Sequence, residues 1–405
     1  MIDWQKPLRG ALFNSRLPEF SQGEPNVVEL ELLRALPTLD DHLWLCTSGT
    51  TGSPKWIALS RAALTASAQA VNQHLQSGPS DVWLHALPNF HVGGLGIRAR
   101  AALSGAQVLA YRGPHDQDGW DARHFHRMAT ETQATLSALV PTQVYDLVSA
   151  GLRSPPALRA VIIGGAALTA ELYVKGAQLG WILLPSYGMT ETSSQIATAA
   201  LPEGVPSPIL PPIRLLPHAS VRTDADGRLH IRGQSLLTAS AQLQACGERW
   251  DCVYYEPRRC NTLQFPQDTD ELVTEDRGNL TDGNLAIYGR LGSVLKILGE
   301  KVDLARLENV ALALSLREGL AGTAVPVALP DARAGHALYL VVDEGDPEAH
   351  ASWVAGFNLD VAPFERIYRP AVRVARIPRN ALGKLLRDEL NLLVMRTLSG
   401  GQKDV

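Results

Sequence analysis

The sequence lacks any apolar stretch long enough to cross a membrane, and it lacks the hydrophobic core of a signal peptide near its start. A membrane-spanning helix needs about 20 consecutive apolar residues, whereas charged residues are scattered through Met1 to Phe20. We therefore expect no membrane span and no export signal, and a cytoplasmic location.

The sequence also lacks an excess of positive charge. Its 37 lysines and arginines face 41 aspartates and glutamates, which gives a formal net charge of −4. Proteins that hold a nucleic-acid backbone usually carry a basic stripe, so we expect no nucleic-acid partner. With 19% charged and 45% hydrophobic residues, the composition is that of a globular protein with a substantial core.

Cysteine is scarce, with four residues in the whole chain. Cys246, Cys252 and Cys260 lie close enough in sequence to suggest a zinc site, but they lack the tight pairing and nearby histidine of structural zinc sites. Free thiols in a reducing compartment are the favoured interpretation, with zinc as the alternative.

An alternation of strand-like and helix-like segments fills the first half of the chain, and 405 residues are enough for two or three domains. This order favours a largely parallel sheet covered by helices. The predicted strands are Leu43 to Cys46, Val82 to Leu87, Gln107 to Tyr111, Thr135 to Val140, Ala160 to Ile163 and Trp181 to Pro185. The predicted helices are Glu24 to Leu36, Ser60 to Gln76, Leu95 to Leu103, Ala122 to Thr130, Pro141 to Ser149 and Thr169 to Gln178.

The second half has two different textures. From about Pro202, short alternating runs separated by Asp226-Gly227 and Asp282-Gly283 predict antiparallel hairpins or a small barrel, with residues 241–270 unassigned. From Leu304 onward an α+β pattern predicts a separate small domain.

A cluster of glycines and hydroxyls between Thr47 and Lys55 predicts a phosphate-binding loop. Glycines let backbone N–H groups approach an anion, hydroxyls add donors, and a lysine adds positive charge. The spacing is not that of the Walker motif, and the alternative is an ordinary polar turn. We predict that this loop joins a strand to a helix; its predicted ligand-binding residues are Thr47, Ser48, Gly49, Thr50, Thr51, Gly52 and Lys55.

Further motifs follow this loop in a fixed order. They are Leu87 to Gly94, Ile163 to Ala167, Ser186 to Thr192, Thr274 to Gly278, Tyr288 to Leu291 and Pro378 to Arg387. Each alone is typical of a turn or a surface ion pair. Together, and in this order, they resemble the acyl-adenylate-forming superfamily, which contains the acyl-CoA synthetases.

The resemblance implies where the nucleotide binds. Tyr187 would cover the adenine, Asp276 would hold the ribose hydroxyls, and Arg290 would contact ribose or phosphate. Thr190 would donate to the α-phosphate, and Glu191 would supply the oxygen that Mg²⁺ needs beside phosphates. The remaining residues implied to line the nucleotide pocket are Gly164, Gly165, Ala166, Ser186, Gly188 and Met189.

The resemblance also implies an acyl-substrate channel and a catalytic lysine. His91 would flank the channel, and Lys384 would bridge the attacking carboxylate and the α-phosphate, where charge concentrates in the transition state. The implied catalytic set is therefore Lys384, Thr190, Glu191 and His91. The implied substrate contacts are His91, Gly93, Gly94, Leu139, Gln143, Ser194 and Gln195.

Within the superfamily, the chain is most similar to the o-succinylbenzoate:CoA ligases of menaquinone biosynthesis. This implies an AMP-forming acid–thiol ligase with ATP, Mg²⁺ and CoA, and with a small carboxylic acid as partner. Ligation of another aromatic or medium-chain acid, transfer to a carrier-protein thiol, and a catalytically inactive nucleotide-binding relative are the alternatives. The oligomeric state, a homo-oligomer included, is left open.

The implied fold is α/β. Residues 1–290 would form a large domain of layered parallel sheets with helices and, over about 203–290, a small antiparallel barrel; residues 291–405 would form a small, mobile α+β lid. Some features depart from the family pattern: the phosphate loop lies close to Met1, so part of the usual N-terminal scaffold is expected to be missing or supplied by a partner chain. Trp56 stands where glycine is common, Gly292 and Ser293 replace the acidic hinge, and Lys301 and Asp303 alter the segment facing CoA.

Overall fold

The computed structural model describes residues 12–14, 36, 39–47, 55–114, 119–202, 204, 207–246, 249–257, 271–290, 294–298, 300–318, 324–331, 333–343, 346–379 and 385–400. Several predicted features lie outside these residues. They are nearly all of the predicted helix Glu24 to Leu36, the phosphate-loop residues 48–54, the hinge at 291–293, Cys260 and Lys384.

The strands, in chain order, are β1 (Leu12–Asn14), β2 (His42–Thr47), β3 (Lys55–Ser60), β4 (Val82–His85), β5 (Gln107–Ala110), β6 (Leu136–Leu139), β7 (Ala160–Ile163), β8 (Leu183–Met189), β9 (Ser194–Ala199), β10 (Ile213–Leu215), β11 (Ala219–Thr223), β12 (Arg228–Gly233), β13 (Ala239–Cys246), β14 (Arg249–Pro257), β15 (Leu272–Thr281), β16 (Asn284–Arg290), β17 (Val294–Ile297), β18 (Glu300–Asp303), β19 (Ala324–Asp331), β20 (Gly335–Val342) and β21 (Val372–Arg373). The α-helices are α1 (Arg61–Leu75), α2 (Val92–Ser104), α3 (Ala122–Glu131), α4 (Pro141–Ser149), α5 (Ala170–Gln178), α6 (Leu304–Glu318), α7 (Pro347–Asp360) and α8 (Arg387–Gly400).

One large sheet organises the chain up to Arg290, in the strand order β11-β12-β15-β16-β10-β9-β8-β7-β6-β4-β5. The β5 to β8 side is parallel, and the pairing changes to antiparallel where β8 meets β9. The α/β prediction is therefore confirmed. The predicted antiparallel strands are present, but in the described residues they extend this sheet and do not close into a barrel.

Helices cover both faces of the parallel part, which explains why its strands are uninterrupted apolar runs. In β7, Ala160 and Ile162 pack with α1 and α2, whereas Val161 and Ile163 pack with α3, α4 and α5. A parallel strand buried on both faces needs apolar residues at every position, and all four residues of β7 are buried. The result is three layers, with the carboxyl ends of the parallel strands at one edge.

The strands on either side of the phosphate loop belong to a second sheet, of order β1-β2-β3-β13-β14. Here the sequence prediction was wrong: the loop joins two antiparallel strands, β2 and β3, with Thr47 opposite Lys55. The helix does begin where expected, because Ser60 Oγ caps it by accepting from Ala63 N at 3.0 Å. The four buried residues from Trp56 to Leu59 form the strand that was overlooked.

The same sheet contains part of the segment left unassigned by the sequence. Strands β13 and β14 form a hairpin. Strand β13 pairs with the edge of β3 that faces away from β2. Cys246 and Cys252 lie on these two strands.

Residues from Val294 onward build their own sheets and cores, in agreement with the predicted α+β pattern. The hairpin β17–β18 leads into α6, and β19, β20 and β21 form a three-stranded sheet. Helices α6 and α7 pack on one face of that sheet and α8 on the other. This part contacts the larger one where Lys175 Nζ donates to the carbonyl of Leu316 at 2.8 Å.

Among the described helices, none combines the length and apolar character needed to cross a membrane.

Candidate active site

The predicted motifs converge at the carboxyl edge of the parallel strands. Gly164 and Gly165 follow β7, and Ser186 Oγ donates to the carbonyl of Ile163 at 2.8 Å, which ties β8 to the end of β7. Gly165 has a φ of 82°, and a Cβ added there would lie 3.2 Å from Val140 Cγ1. The glycine pair therefore keeps this edge open, which is where ligands bind in α/β sheets.

Tyr187, Asp276 and Arg290 form one connected group, here named the Asp276 cluster. The Tyr187 hydroxyl donates to Asp276 Oδ2 and Arg290 Nε donates to Asp276 Oδ1, both at 2.8 Å. Burial raises the pKa of Tyr187, and the negative charge of Asp276 raises it further. Burial lowers the pKa of Arg290, but attraction to Asp276 outweighs this, so the pKa is raised overall. Both oxygens of this buried carboxylate are thus used by side chains from two other strands of the sheet, β8 and β16.

Lys55 and Glu191 form an ion pair between the two sheets. Lys55 Nζ lies 3.6 Å from Glu191 Oε1, and the Glu191 carbonyl accepts from Leu237 N at 2.8 Å. Across the base of the phosphate loop, Thr47 Oγ1 donates to the Lys55 carbonyl at 3.1 Å. A cation from the loop and a carboxylate from the β8–β9 connection therefore meet at a partly exposed position.

The connection between β8 and β9 is a tight turn, Thr190–Thr192, that places Glu191. Thr192 Oγ1 accepts from Met189 N at 3.0 Å and donates to the carbonyl of Ser194 at 2.7 Å, so the turn is closed from inside. Gly188 is required beside it, since an added Cβ would lie 2.0 Å from the Ser194 carbonyl oxygen.

The residues predicted to flank the acyl channel lie at the start of α2. His91 precedes the helix, is buried, and contacts the Phe90 ring with centroids 4.8 Å apart. A Cβ on Gly94 would lie 2.2 Å from the carbonyl oxygen of Pro88, so only glycine fits there. His85, which the sequence did not single out, lies 2.9 Å from the Gly94 carbonyl through Nε2. Burial lowers the His85 pKa to about 4, so the ring is neutral and Nε2–H is the donor.

Two of the predicted substrate contacts also have partners within the fold. Leu139 packs in the core beneath α3, α4 and α5. Gln143 Oε1 accepts from Val140 N at 3.0 Å, which caps α4.

Arg100, which the sequence analysis did not single out, lies beside the predicted substrate residue Ser194. It lies on α2, is fully buried, and its Nη2 donates to Ser194 Oγ at 3.0 Å. Its guanidinium carbon lies 5.9 Å from the centroid of the Trp83 ring. Burial lowers its pKa to about 10, so it remains charged at neutral pH. The signal that could have revealed it is its place one helical turn after Gly96, on the face of the His91 motif.

Ser194 and Gln195 begin β9, directly after a strained turn. Ser193 and Ser194 have φ values of 53° and 105°, in a region that L-residues rarely adopt. Gln195 Nε2 donates to Thr198 Oγ1 within β9, so its amide is engaged along the strand. Backbone strain of this kind is often retained where it positions functional groups, here the hydroxyl facing Arg100.

Glu191 suits the magnesium site that the resemblance implies. Mg²⁺ is usually held by one or two carboxylates together with substrate phosphates and water, and Glu191 is a half-buried carboxylate beside the phosphate loop. Over the described part of the chain, no group of three or more His, Cys, Asp or Glu side chains is arranged to hold a metal without a ligand's help.

Comparison with known proteins gives one family match, to the AMP-binding enzyme family over residues 15–238. A 2-succinylbenzoate–CoA ligase of Salmonella typhimurium is 30% identical over 299 residues, covering 73% of this chain and 57% of the relative. One from Bacillus velezensis is 26% identical over 406 residues, covering 96% of this chain and 76% of the relative. A rice 4-coumarate–CoA ligase-like protein is 28% identical, covering 88% and 61%.

Solved structures show the same fold. The o-succinylbenzoate CoA synthetase of Bacillus subtilis in complex with its acyl-adenylate superposes with a TM-score of 0.65 at 24% identity, covering 86% of this chain and 68% of that one. The ATP-bound MatB protein of Rhodopseudomonas palustris superposes with a TM-score of 0.64 at 22% identity, covering 86% and 67%. The chain spans between about half and three-fifths of the length of the two enterobacterial ligases that it matches.

Proposed function

The chain belongs to the AMP-binding enzyme family, and we propose that it is an ATP-dependent, AMP-forming ligase that joins o-succinylbenzoate to CoA. The observation that carries the proposal is the convergence of the Asp276 cluster and the Lys55–Glu191 pair on one edge of the sheet. These residues are far apart in sequence, and each was assigned to nucleotide binding by its own motif.

In this proposal the Asp276 cluster binds the nucleoside. Asp276 accepts two hydrogen bonds from protein donors, and a carboxylate with its several lone pairs can equally accept from the two ribose hydroxyls. Tyr187 places its ring beside this carboxylate, where it would cover the adenine. Arg290 would hold the carboxylate in position through its hydrogen bond and add a contact to ribose or phosphate.

Lys55 and Glu191 would bind the charged part of ATP. Lys55 would act with the loop residues Thr47 to Gly52 on the β- and γ-phosphates. Glu191 would hold Mg²⁺, which supplies charge neutralisation for the phosphates when it is bound. The 3.6 Å ion pair holds both groups near the place where the phosphates must lie.

The chemistry is two displacements. A carboxylate oxygen of the acid attacks the α-phosphorus of ATP, forming an acyl-adenylate while the bond to pyrophosphate breaks. The CoA thiolate then attacks the acyl carbonyl and AMP leaves. Thr190 and Lys384 would stabilise charge in the first step. For the second step we expect the C-terminal domain, residues 291–405, to change position so that CoA reaches the intermediate.

The acid substrate is proposed from the names of the relatives and from the polar residues near the predicted acyl channel. Ligases named for 2-succinylbenzoate recur among the relatives, and the acyl end contains buried donors that a fatty acid could not use. We place the reaction in the cytoplasm, where ATP and CoA are both available.

A pyrophosphate-release assay over a panel of acids tests this function. With ATP and Mg²⁺, o-succinylbenzoate should release pyrophosphate, and thioester should form only when CoA is added. Equal activity with benzoate or hexanoate would reject the narrow substrate and leave a general acid:CoA ligase. Nucleotide binding without pyrophosphate release for any acid would indicate an inactive relative.

A further inference from the structure

The C-terminal part of the chain, from Val294 onward, contacts the larger part at the end of helix α6. Lys175 on α5 donates from Nζ to the carbonyl of Leu316 at 2.8 Å. This carbonyl is one of the last four of α6, which have no partner within the helix. The carbonyl end of a helix also carries partial negative charge, so a lysine is well suited to cap it. The cap comes from 141 residues earlier in the chain, and it therefore joins the two parts.

The same contact has an apolar component. The side chain of Leu316 is partly buried and packs against the core cluster beneath α3, α4 and α5, and this burial favours the contact. The side chain of Lys175 is 34% exposed. The cap can therefore break without leaving a charge in the core, as a contact that forms and breaks repeatedly requires.

A second link joins the two parts beside helix α4. Asp146 lies on α4, where its Oδ2 accepts from Trp120 Nε1 at 2.8 Å. Burial raises the pKa of Asp146, and the hydrogen bond from Trp120 and the charge of Arg379 offset part of this rise. Burial lowers the pKa of Arg379, and attraction to nearby carboxylates, Asp146 among them, offsets part of this fall. Arg379 of the C-terminal part is thus close enough to Asp146 for the two charges to attract.

This second link lies close to the carboxyl edge of the parallel strands. Helix α4 begins at Pro141, directly after the end of β6, and Asp146 is five residues into the helix, about 8 Å along its axis. Arg379 precedes Lys384 by five residues, which can span at most about 18 Å. With Arg379 beside α4, the lysine proposed to act in adenylation is within reach of that edge. The observed orientation therefore suits the first half-reaction.

We propose that Lys175 holds the C-terminal part in the orientation that favours adenylation, with Asp146 as a second, weaker anchor. This inference rests on the proposed function, which requires the C-terminal part to change position before CoA reacts. It names the contacts that must break in that change. Lys175 acts through Leu316 and touches neither the acid nor ATP, so it is a positioning residue.

The alternative is that Lys175 only stabilises its own helix. Its Nζ also lies 3.2 Å from Glu171 Oε1, one turn earlier on α5. That ion pair is local and would stabilise α5 in any orientation of the C-terminal part. Glu171→Gln removes the ion pair and leaves the cap, whereas Lys175→Met removes both. The difference between these two variants isolates the cap.

The kinetic test measures the two half-reactions separately. Adenylation is followed as pyrophosphate release in a single turnover, and thioester formation is started from chemically supplied acyl-adenylate and CoA. A charge-assisted hydrogen bond at a partly exposed position should bias the orientation about tenfold. If the two orientations are evenly populated in the unaltered chain, Lys175→Met should slow adenylation about fivefold and leave thioester formation unchanged or faster.

The controls follow from the same geometry. Lys175→Arg retains a cation and should recover most of the rate, and Glu171→Gln should change neither half-reaction by more than about twofold. Thermal unfolding of each variant checks that it folds. Equal losses in both half-reactions of Lys175→Met, or an equal effect of Glu171→Gln, would overturn the inference.

Asp146→Asn tests the second anchor. Asparagine can still accept from Trp120 Nε1, but it removes the charge that attracts Arg379. Because this attraction is the weaker link, we expect adenylation to slow by about twofold to threefold, with thioester formation unaffected. Unchanged adenylation would overturn the role of Asp146.

A distance measurement tests the contact without enzymatic activity, so failure of the proposed function can be told apart from failure of this inference. Spin labels are attached to Glu131→Cys on α3 and Ser352→Cys on α7, both exposed positions, after the four native cysteines are replaced by serine. Pulsed electron paramagnetic resonance should show that Lys175→Met shifts or broadens the distribution of distances, and that Glu171→Gln does not. Identical distributions for Lys175→Met and the unaltered chain would overturn the inference, whether or not any acid is activated.

Discussion

The Asp276 cluster and the buried polar residues around Arg100 satisfy their hydrogen-bonding groups differently. The latter, here named the Arg100 cluster, are Arg100, Ser193, Ser194 and His218. At Asp276, both carboxylate oxygens accept a hydrogen bond from a protein donor. At Arg100, buried donors outnumber the acceptors, and ring or guanidinium nitrogens of two residues have no hydrogen-bond partner. One cluster is complete without a ligand, and the other is not.

This difference suggests two ways of preparing a site. A carboxylate held by Tyr187 and Arg290 is fixed in position, and it can exchange or add hydrogen bonds when a ribose binds. A guanidinium that donates to one serine hydroxyl keeps its buried Nε–H without a hydrogen-bond acceptor among the described residues. The first arrangement suits a ligand shared by a whole family, and the second suits a ligand that distinguishes one member. Substitutions should therefore separate the two clusters kinetically.

The largest loss should come from a residue that belongs to neither cluster. Lys384→Ala should lower the rate of adenylation about a hundredfold or more, because a charge-assisted contact to the transition state is removed. KM for ATP and for the acid should change little, and chemically supplied acyl-adenylate should still react with CoA. Rapid-quench assays of the two half-reactions measure this; equal losses in both would reject the assigned role.

Asp276→Asn should damage the Asp276 cluster alone. The amide retains the shape but presents N–H groups towards Tyr187 or Arg290, which are donors themselves, so hydrogen bonds to a charged group are lost. We expect kcat/KM for ATP to fall between about tenfold and a hundredfold. The ratio of activities with o-succinylbenzoate and with 4-oxo-4-phenylbutanoate, a monoacid that lacks the ring carboxylate, should not change.

The adjacent acidic residue, Glu275, supplies the control for this variant. Glu275 is exposed on the same strand and points to the opposite face. Glu275→Gln should leave kcat/KM for ATP unaltered. If Asp276→Asn changed the selectivity between the acids as strongly as it changed the use of ATP, the two clusters would not be independent.

The sequence predicted the Asp276 cluster better than the Arg100 cluster for a physical reason. Asp276, Tyr187 and Glu191 lie in motifs with unusual residue combinations, and the strands that carry them follow from local apolar patterns. The parallel strands and helices α1 to α5 were located for the same reason, although α2 begins earlier than predicted and β8 extends beyond its predicted end. Family resemblance supplied the roles, and local pattern supplied the positions.

Arg100 shows what local pattern cannot supply. An arginine two residues after another arginine on a helix is typical of a solvent-facing side chain, and its burial depends on the packing of α2 against β4 and β9. The β2–β3 hairpin was missed because Trp56 to Leu59 is short and is followed at once by a well-capped helix. Its strand identity depends on pairing with β13, nearly 200 residues later.

Lowering the pH should destabilise the fold through His85, whose pKa falls to about 4 on burial, from an ordinary value of 6.5. Between these values the unfolded chain binds a proton that the folded chain does not, so stability falls as the pH is lowered from about 6.5 towards 4. At pH 5.5 the loss should be about 1.4 kcal/mol, a factor of about ten in the unfolding equilibrium.

His85→Gln isolates this contribution, because glutamine can donate to the Gly94 carbonyl but does not titrate. Urea unfolding at pH 7.5 and 5.5 should show a smaller pH dependence in the variant by about that amount. A variant of His85 with the same pH dependence as the unaltered chain would show that this ring is not held neutral.

The smallest effect should come from Thr47→Val, at the base of the phosphate loop. Valine has the shape of threonine but cannot donate to the Lys55 carbonyl, so the strands β2 and β3 lose one hydrogen bond where the loop begins. A bond of this kind contributes about 0.5 to 1.5 kcal/mol, which predicts a rise of about threefold to tenfold in KM for ATP. Thr47→Ser restores the hydroxyl and should restore KM. Because Lys55 faces Glu191 and not Arg100, the preference between the two acids should be untouched. If Thr47→Val shifted that preference as much as it shifted KM for ATP, the loop would be coupled to the Arg100 cluster, and the separation between the two halves of the site would fail.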